Sequence, residues 1–248
     1  MICPKVQFDP DFIEEAVFLY AGKEAAYSAL TKVFHQGREG LYAETPGEKR
    51  EQAFRLFYEE YFVRFGLRAI FENILSEFPL LSGLNILIYI KKVAGRKKEE
   101  SELYVNGGIK TVYIGLQAIR ILEREFLESF LRFELMHVCD MLDEAFHYSP
   151  YPLFLREGGV VENENIKNRF RLLWDIYVDS RLVKRGRRPF VHEDARQEEF
   201  KKVFFYMNER QQGAVLSKVR DTEGLSQTDL LGIAGCGPLL AGVEGIPP

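Results

Sequence analysis

Cysteine is scarce in this chain of 248 residues: three in all, Cys3, Cys139 and Cys236, widely spaced and odd in number. That excludes a disulfide framework or a cysteine-based zinc knuckle. No run approaches the roughly 18 apolar residues of a membrane span, and the N-terminus lacks the apolar core of a signal peptide. A reducing cytoplasm is the expected compartment. Basic charge is not in excess either. Lys and Arg number 33 against 37 Asp and Glu, a net charge of −4, so nothing favours a nucleic-acid partner. The two basic clusters, "GRKK" at 95–98 and "KRGRR" at 184–188, read as a solvated turn and a helix C-terminal cap. No Gly-rich phosphate loop is present, because "NGG" lacks the Lys-Ser/Thr and helix start that a P-loop needs. There is no internal repeat and no low-complexity linker.

What is present is ordinary for a globular protein: 46% hydrophobic and 28% charged residues, and enough length to bury a substantial core. Apolar residues at three- and four-residue steps predict a helix over 11–35 with a break at Gly22, then a turn-rich connector "GREGLYAETPGEK", with Thr45 and Pro46 starting a second helix over about 47–76. "LNILIYIKK" (84–92), "ELYV" and "KTVYIGL" read as strands of a small sheet, the last two joined at "NGG". Helices are expected over most of 115–146, over 165–184 ending at Gly186, over "HEDARQEEFKKVFFYMNER", and near 226–234 before an irregular tail. "HYSPYPLFLREGGVVEN" reads as a loop, since Pro150 and Pro152 preclude regular helix. The fold class is α+β: a single, mostly helical domain with a small mixed sheet, its parts being N-terminal helices (1–80), a core (84–186), and C-terminal helices and tail (187–248).

Chemistry concentrates in "RFELMHVCDMLDEAF", residues 132–146. A zinc-peptidase helix carries H-E-x-x-H, two histidines one turn apart with a glutamate beside the first. Here the frame is Phe133-Glu134-Leu135-Met136-His137, with phenylalanine in place of the first histidine. Phe133, His137 and Asp140 share a helix face, and Glu134 lies one position round. On the later helix Asp175 and Asp179 are four apart and project from one side. Taken alone these residues also fit a blander account: a core histidine satisfied by a carboxylate, and aspartates bound to Arg171, Arg181 or a helix end. Arg181 would pair with Asp179 or Asp140, or else hold a substrate carboxylate.

The order of elements resembles the zincin metallopeptidases: strand, hairpin, a strand with "TVYIGL", a helix with Glu-x-x-His, then a helix with Asp-x-x-x-Asp. "FELMHVCDMLDEAF" with "RLLWDIYVDSRL" also looks like a family of uncharacterised bacterial metallopeptidase-like proteins. The resemblance covers about residues 84–186. It implies an edge strand beside the motif helix. By position, His137 matches the second zinc histidine, Glu134 the general base, Asp175 the third ligand, and Asp179 a carboxylate supporting the ligands.

The departure at Phe133 then governs the chemistry. A catalytic zinc needs three protein ligands and an open position, and a phenyl ring donates no lone pair. The implied protein is a pseudoenzyme with a degenerate HExxH. No cofactor is expected beyond zinc or another divalent ion at low occupancy. Such a protein would bind a peptide or protein segment in the inherited cleft, along the "TVYIGL" edge. The alternative is an active metal-dependent hydrolase in which Asp140 joins His137, Asp175 and Asp179, an oxygen-rich set suited to Mn, Mg, Ca or Fe. A di-iron bundle would need a second Glu-x-x-His helix, which is not found, and a purely structural helical protein is the third reading. His147, His192 and "GCGP" (235–238) carry no assigned chemistry, and the sequence is silent on oligomeric state.

Overall fold

The computed structural model of the chain describes residues 4–23, 28–44, 47–150 and 160–235. It divides into two compact units, Met1–Val138 and Cys139–Pro248. The first unit opens with β1 (Lys5–Phe8) and α1 (Pro10–Ala21), capped by the Asp9 carboxylate on the Asp11 amide with Pro10 at its start. Then come α2 (Ala29–Glu44), α3 (Gly47–Arg64), α4 (Leu67–Leu75) and a short α5 (Pro79–Ser82). The strands β2 (Ile86–Lys92), β3 (Ser101–Asn106) and β4 (Ile109–Leu116) follow, and α6 (Arg124–Leu142) leads into the second unit. That unit holds α7 (Val160–Lys184), α8 (Glu193–Val203), α9 (Glu209–Asp221) and α10 (Gln227–Gly235). The fold is therefore α+β and mostly helical, with one small mixed sheet. Among the described residues no helix is long and apolar enough to cross a membrane.

The sheet runs β1-β2-β4-β3. β1, β2 and β4 are parallel, and β3 pairs antiparallel with β4 through the Gly107–Gly108 turn. Both turn glycines have positive φ, +56° and +81°, as a two-residue hairpin of this hand requires. On one face Ile88, Ile90, Val112 and Ile114 are buried, continuous with an aromatic cluster in which Phe8 meets the rings of Phe62 and Phe71 at 4.9 and 5.0 Å. The other face carries Tyr89, Tyr113 and Tyr104 in a row, with centroids 5.5 and 5.3 Å apart.

Several sequence expectations are corrected. "TVYIGL" is not an edge: β4 is paired on both sides, and the edge strand is β3. "GREGLYAE" is helical, the end of α2, and its Gly37 reflects close packing rather than a turn. A Cβ there would stand 2.9 Å from the Phe57 ring of α3. The helix expected over 47–76 is two helices, broken at Gly66, whose φ of +73° no continuing helix accommodates. β1 and α9 were not anticipated. Thr45, Pro46, Cys3, Cys236 and residues 151–159 of the 147–163 loop, Pro152 among them, lie outside the described residues, and 160–163 are not loop but the first turn of α7.

The turn before α6 is held by a buried ion pair. Arg120 grips Glu99 with its Nε and Nη2 at 2.9 and 2.8 Å, both side chains almost wholly buried, while its guanidinium lies 4.0 Å over the Phe126 ring. Arg96, Lys97 and Lys98 beside it are exposed, as expected of a solvated turn. At the far end of α7, Gly186 (φ +69°) terminates the helix. Its amide bonds the Val183 carbonyl, and the Arg187 amide bonds that of Leu182.

Candidate functional site

In the first unit the motif segment is one face of α6. Phe133 is buried, and its ring meets the His137 ring edge-on at 4.6 Å. His137 is half-buried, and its Nδ1 lies 3.0 Å from the Phe133 carbonyl one turn back. The tautomer that donates there carries its lone pair on Nε2. Glu134 faces the sheet, where its Oε2 accepts from the Ser101 amide at 2.8 Å, at the start of β3. The carboxylate in the general-base position therefore secures the edge strand to the motif helix.

In the second unit the three aspartates separate into two ion-pair centres. Asp140, 4% exposed, receives both Nη atoms of Arg181 on its two oxygens, and Oδ2 also accepts from the Trp174 indole at 2.7 Å. The Arg181 guanidinium rests 4.1 Å over the Tyr177 ring. This settles which carboxylate Arg181 takes. It leaves Asp140 engaged by a bidentate cation before any metal is considered.

Asp175 and Asp179 meet a different arginine, one that the sequence did not single out. Arg196 of α8, 6% exposed, places Nε 2.9 Å from Asp179 Oδ2 and Nη1 3.1 Å from Asp175 Oδ2. Glu199 adds a third contact at 3.1 Å, and the Phe190 amide donates to Asp179 Oδ1 at 2.7 Å. Burial pushes the Asp179 carboxyl above its ordinary value despite the attraction of Arg196 and the bonds it accepts. Burial alone would depress Arg196, but its carboxylate partners outweigh that and hold it above the usual guanidinium value. The two groups differ in their partners: Arg196 collects Asp175, Asp179 and Glu199, whereas Asp179 faces Arg196 and is repelled by Asp175. A cleft of about 200 Å³ is lined by this pair with Ile176, Val183, Pro189 and Val191.

Phe133 offers no donor, Asp140 is committed to Arg181 and Trp174, and the Asp-x-x-x-Asp pair already holds a cation, the Arg196 guanidinium. Among the described residues no group of three or more His, Cys, Asp and Glu side chains is arranged to hold a metal. His147 is an exposed helix-end residue with φ +55°, and His192 is an exposed N-cap beside Asp194. Cys139 has its thiol pushed up to about 12 by burial and the neighbouring Asp140 carboxylate, so it is no nucleophile at neutral pH.

No protein-family model, curated protein or solved structure matches the chain.

Proposed function

We propose that this chain is a zincin-like protein without a zinc site, acting as a binding module that accepts an extended peptide or protein segment. The observation that carries the proposal is the treatment of the motif residues. Phenylalanine occupies the first histidine position and packs on the second, Glu134 is tied to the Ser101 backbone, and Arg196 occupies the carboxylate pair. Each group that hydrolysis would need has a structural partner instead.

The recognition element is the outer edge of β3, which pairs with no strand among the described residues. The Gly115 amide bonds the Glu100 carbonyl, which sets the alternation of the antiparallel ladder. Glu102, Tyr104 and Asn106 therefore bond β4, and Ser101, Leu103 and Val105 turn their amides and carbonyls outward. Ser101 donates its amide to Glu134, and Leu103 and Val105 present theirs to an added strand. The hydrolase alternative would use His137 with Asp140, Asp175 and Asp179. It needs Arg181 to release Asp140, or Arg196 to release Asp175 and Asp179.

Phe133→His tests the resemblance. It sets two imidazoles one helical turn apart, and zinc affinity measured by calorimetry is expected to rise by about 100-fold over the parent chain. No gain would count against the alignment of this helix with the zincin motif helix.

A further inference from the structure

We propose that the strand accepted by β3 is β3 of a second copy, paired antiparallel about a two-fold axis at Tyr104. The inference rests on the reading that β3 takes an added strand, and it names that strand. β3 lacks the devices that usually protect an edge. It has no proline and no lysine, and its ladder shows no bulge. Val105 is 64% exposed and Tyr104 53%, and Ile109 beyond the turn is exposed as well. Among the described residues no strand pairs with its outer side.

The outward groups decide the register. Only Leu103 and Val105 have both amide and carbonyl turned outward and no claim by Glu134, so a symmetric partner uses all of them when Leu103 pairs with Val105 of the second copy, and Val105 with its Leu103. That pairing makes four backbone hydrogen bonds and needs nothing from Ser101. Centring the axis on Leu103 instead would require the Ser101 amide, which Glu134 already takes.

Side chains agree with this register on both faces. On the outer face Tyr104 lies opposite Tyr104 of the second copy in a non-hydrogen-bonded pair, where side chains approach most closely. The row Tyr89–Tyr113–Tyr104 then continues across the axis into its mirror. Glu102 falls opposite Asn106, so the strand's single charge never meets its own copy. On the other face Leu103 meets Val105. The flanking position beside Ser101 and Glu134 receives Gly107, the residue with least bulk. No cross-strand pair is like-charged.

The test uses the full chain in sedimentation velocity over a range of concentrations. The expected result is a monomer-to-dimer rise in mass that Val105→Pro abolishes, because the proline removes one outward amide while leaving the β4 bonds intact. Folding of the variant is checked by circular dichroism. A second arm does not depend on that variant. In a chain carrying Cys3→Ser and Cys236→Ser, Tyr104→Cys is expected to cross-link to itself on mild oxidation, since its Cα spacing in this pairing is about 4.5 Å. Glu102→Cys is expected not to, the two copies being roughly 14 Å apart. A parent chain that stays monomeric and a Tyr104→Cys chain that does not cross-link would overturn the inference. So would a dimer that survives Val105→Pro. A synthetic peptide of residues 101–106 separates the two levels. Binding of that peptide by a monomeric parent chain keeps the strand-accepting edge and rejects the dimer, and failure of both rejects the edge as a recognition element.

Discussion

Replacing Arg196 with Met removes a cation that Asp179 and Asp175 share, keeping most of the side-chain volume. Arg196 is 6% exposed and Asp179 5%, so the substitution leaves a buried carboxylate facing apolar surroundings, its bond from the Phe190 amide remaining. Breaking a buried pair from one side costs about 3–5 kcal/mol, a large share of the 5–15 kcal/mol roughly typical of a domain. The cost depends on pH. Asp179 already binds its proton more tightly in the folded state, because burial outweighs the lowering by Arg196. An acid with a raised folded pKa contributes fully below its unfolded value and loses that contribution as pH climbs through the folded one. Without Arg196 the folded value climbs further, so the loss is larger at about pH 8 than at about pH 5. Adding Asp179→Asn removes the stranded charge and recovers about 2 kcal/mol. The assay is urea unfolding followed by fluorescence of Trp174, the sole tryptophan, which lies in the same unit as the pair. A loss under about 1 kcal/mol, an equal loss at both pH values, or full additivity in the double variant would refute the reasoning.

Three further outcomes follow from single contacts. Gly115→Ala places a methyl group 2.3 Å from the Lys98 carbonyl oxygen and 3.0 Å from Val93, and is expected to cost about 1–3 kcal/mol in thermal unfolding, with the 93–100 turn displaced; a neutral effect would contradict the close approach. Glu99→Ala leaves Arg120 buried with only Glu123 of its ion-pair partners and is expected to cost about 3 kcal/mol, while Lys97→Ala beside it costs less than about 0.5 kcal/mol. Cys139, in a chain with Cys3→Ser and Cys236→Ser, has a thiolate fraction roughly 1,000-fold below that of an ordinary thiol, so a disulfide reagent should modify it only in denaturant. Rapid labelling of the native chain would show that the site is open.

The parts of the fold legible in the sequence are those whose pattern is local. α6 and α7 are long runs without proline or glycine, β2 to β4 are rich in branched residues around a Gly-Gly turn, and the Gly186 stop announces itself. β1 is four residues long and exists through its parallel pairing with β2, some eighty positions away. α9 has few apolar residues, and the signal that would have found it is the capping box of Asn208 with Gln211. Gly37 reads as part of a turn because a glycine chosen for close helix packing looks the same in sequence as one chosen for positive φ. In the candidate site, Glu134, His137, Asp140, Asp175 and Asp179 stood out from spacing, and Asp140 was one of the two aspartates expected to pair with Arg181. Arg196 was not, since nothing local links it to Asp179, and it is the residue that turns a ligand pattern into an ion pair.

The central claim is that this motif helix carries no working zinc site, and metal retention tests it most directly. The full-length parent chain is loaded with zinc, dialysed against metal-free buffer and measured by elemental analysis. The account gives a zinc content far below one equivalent, unchanged by His137→Ala. Retention near one equivalent, lost on His137→Ala, would contradict it and restore the hydrolase reading.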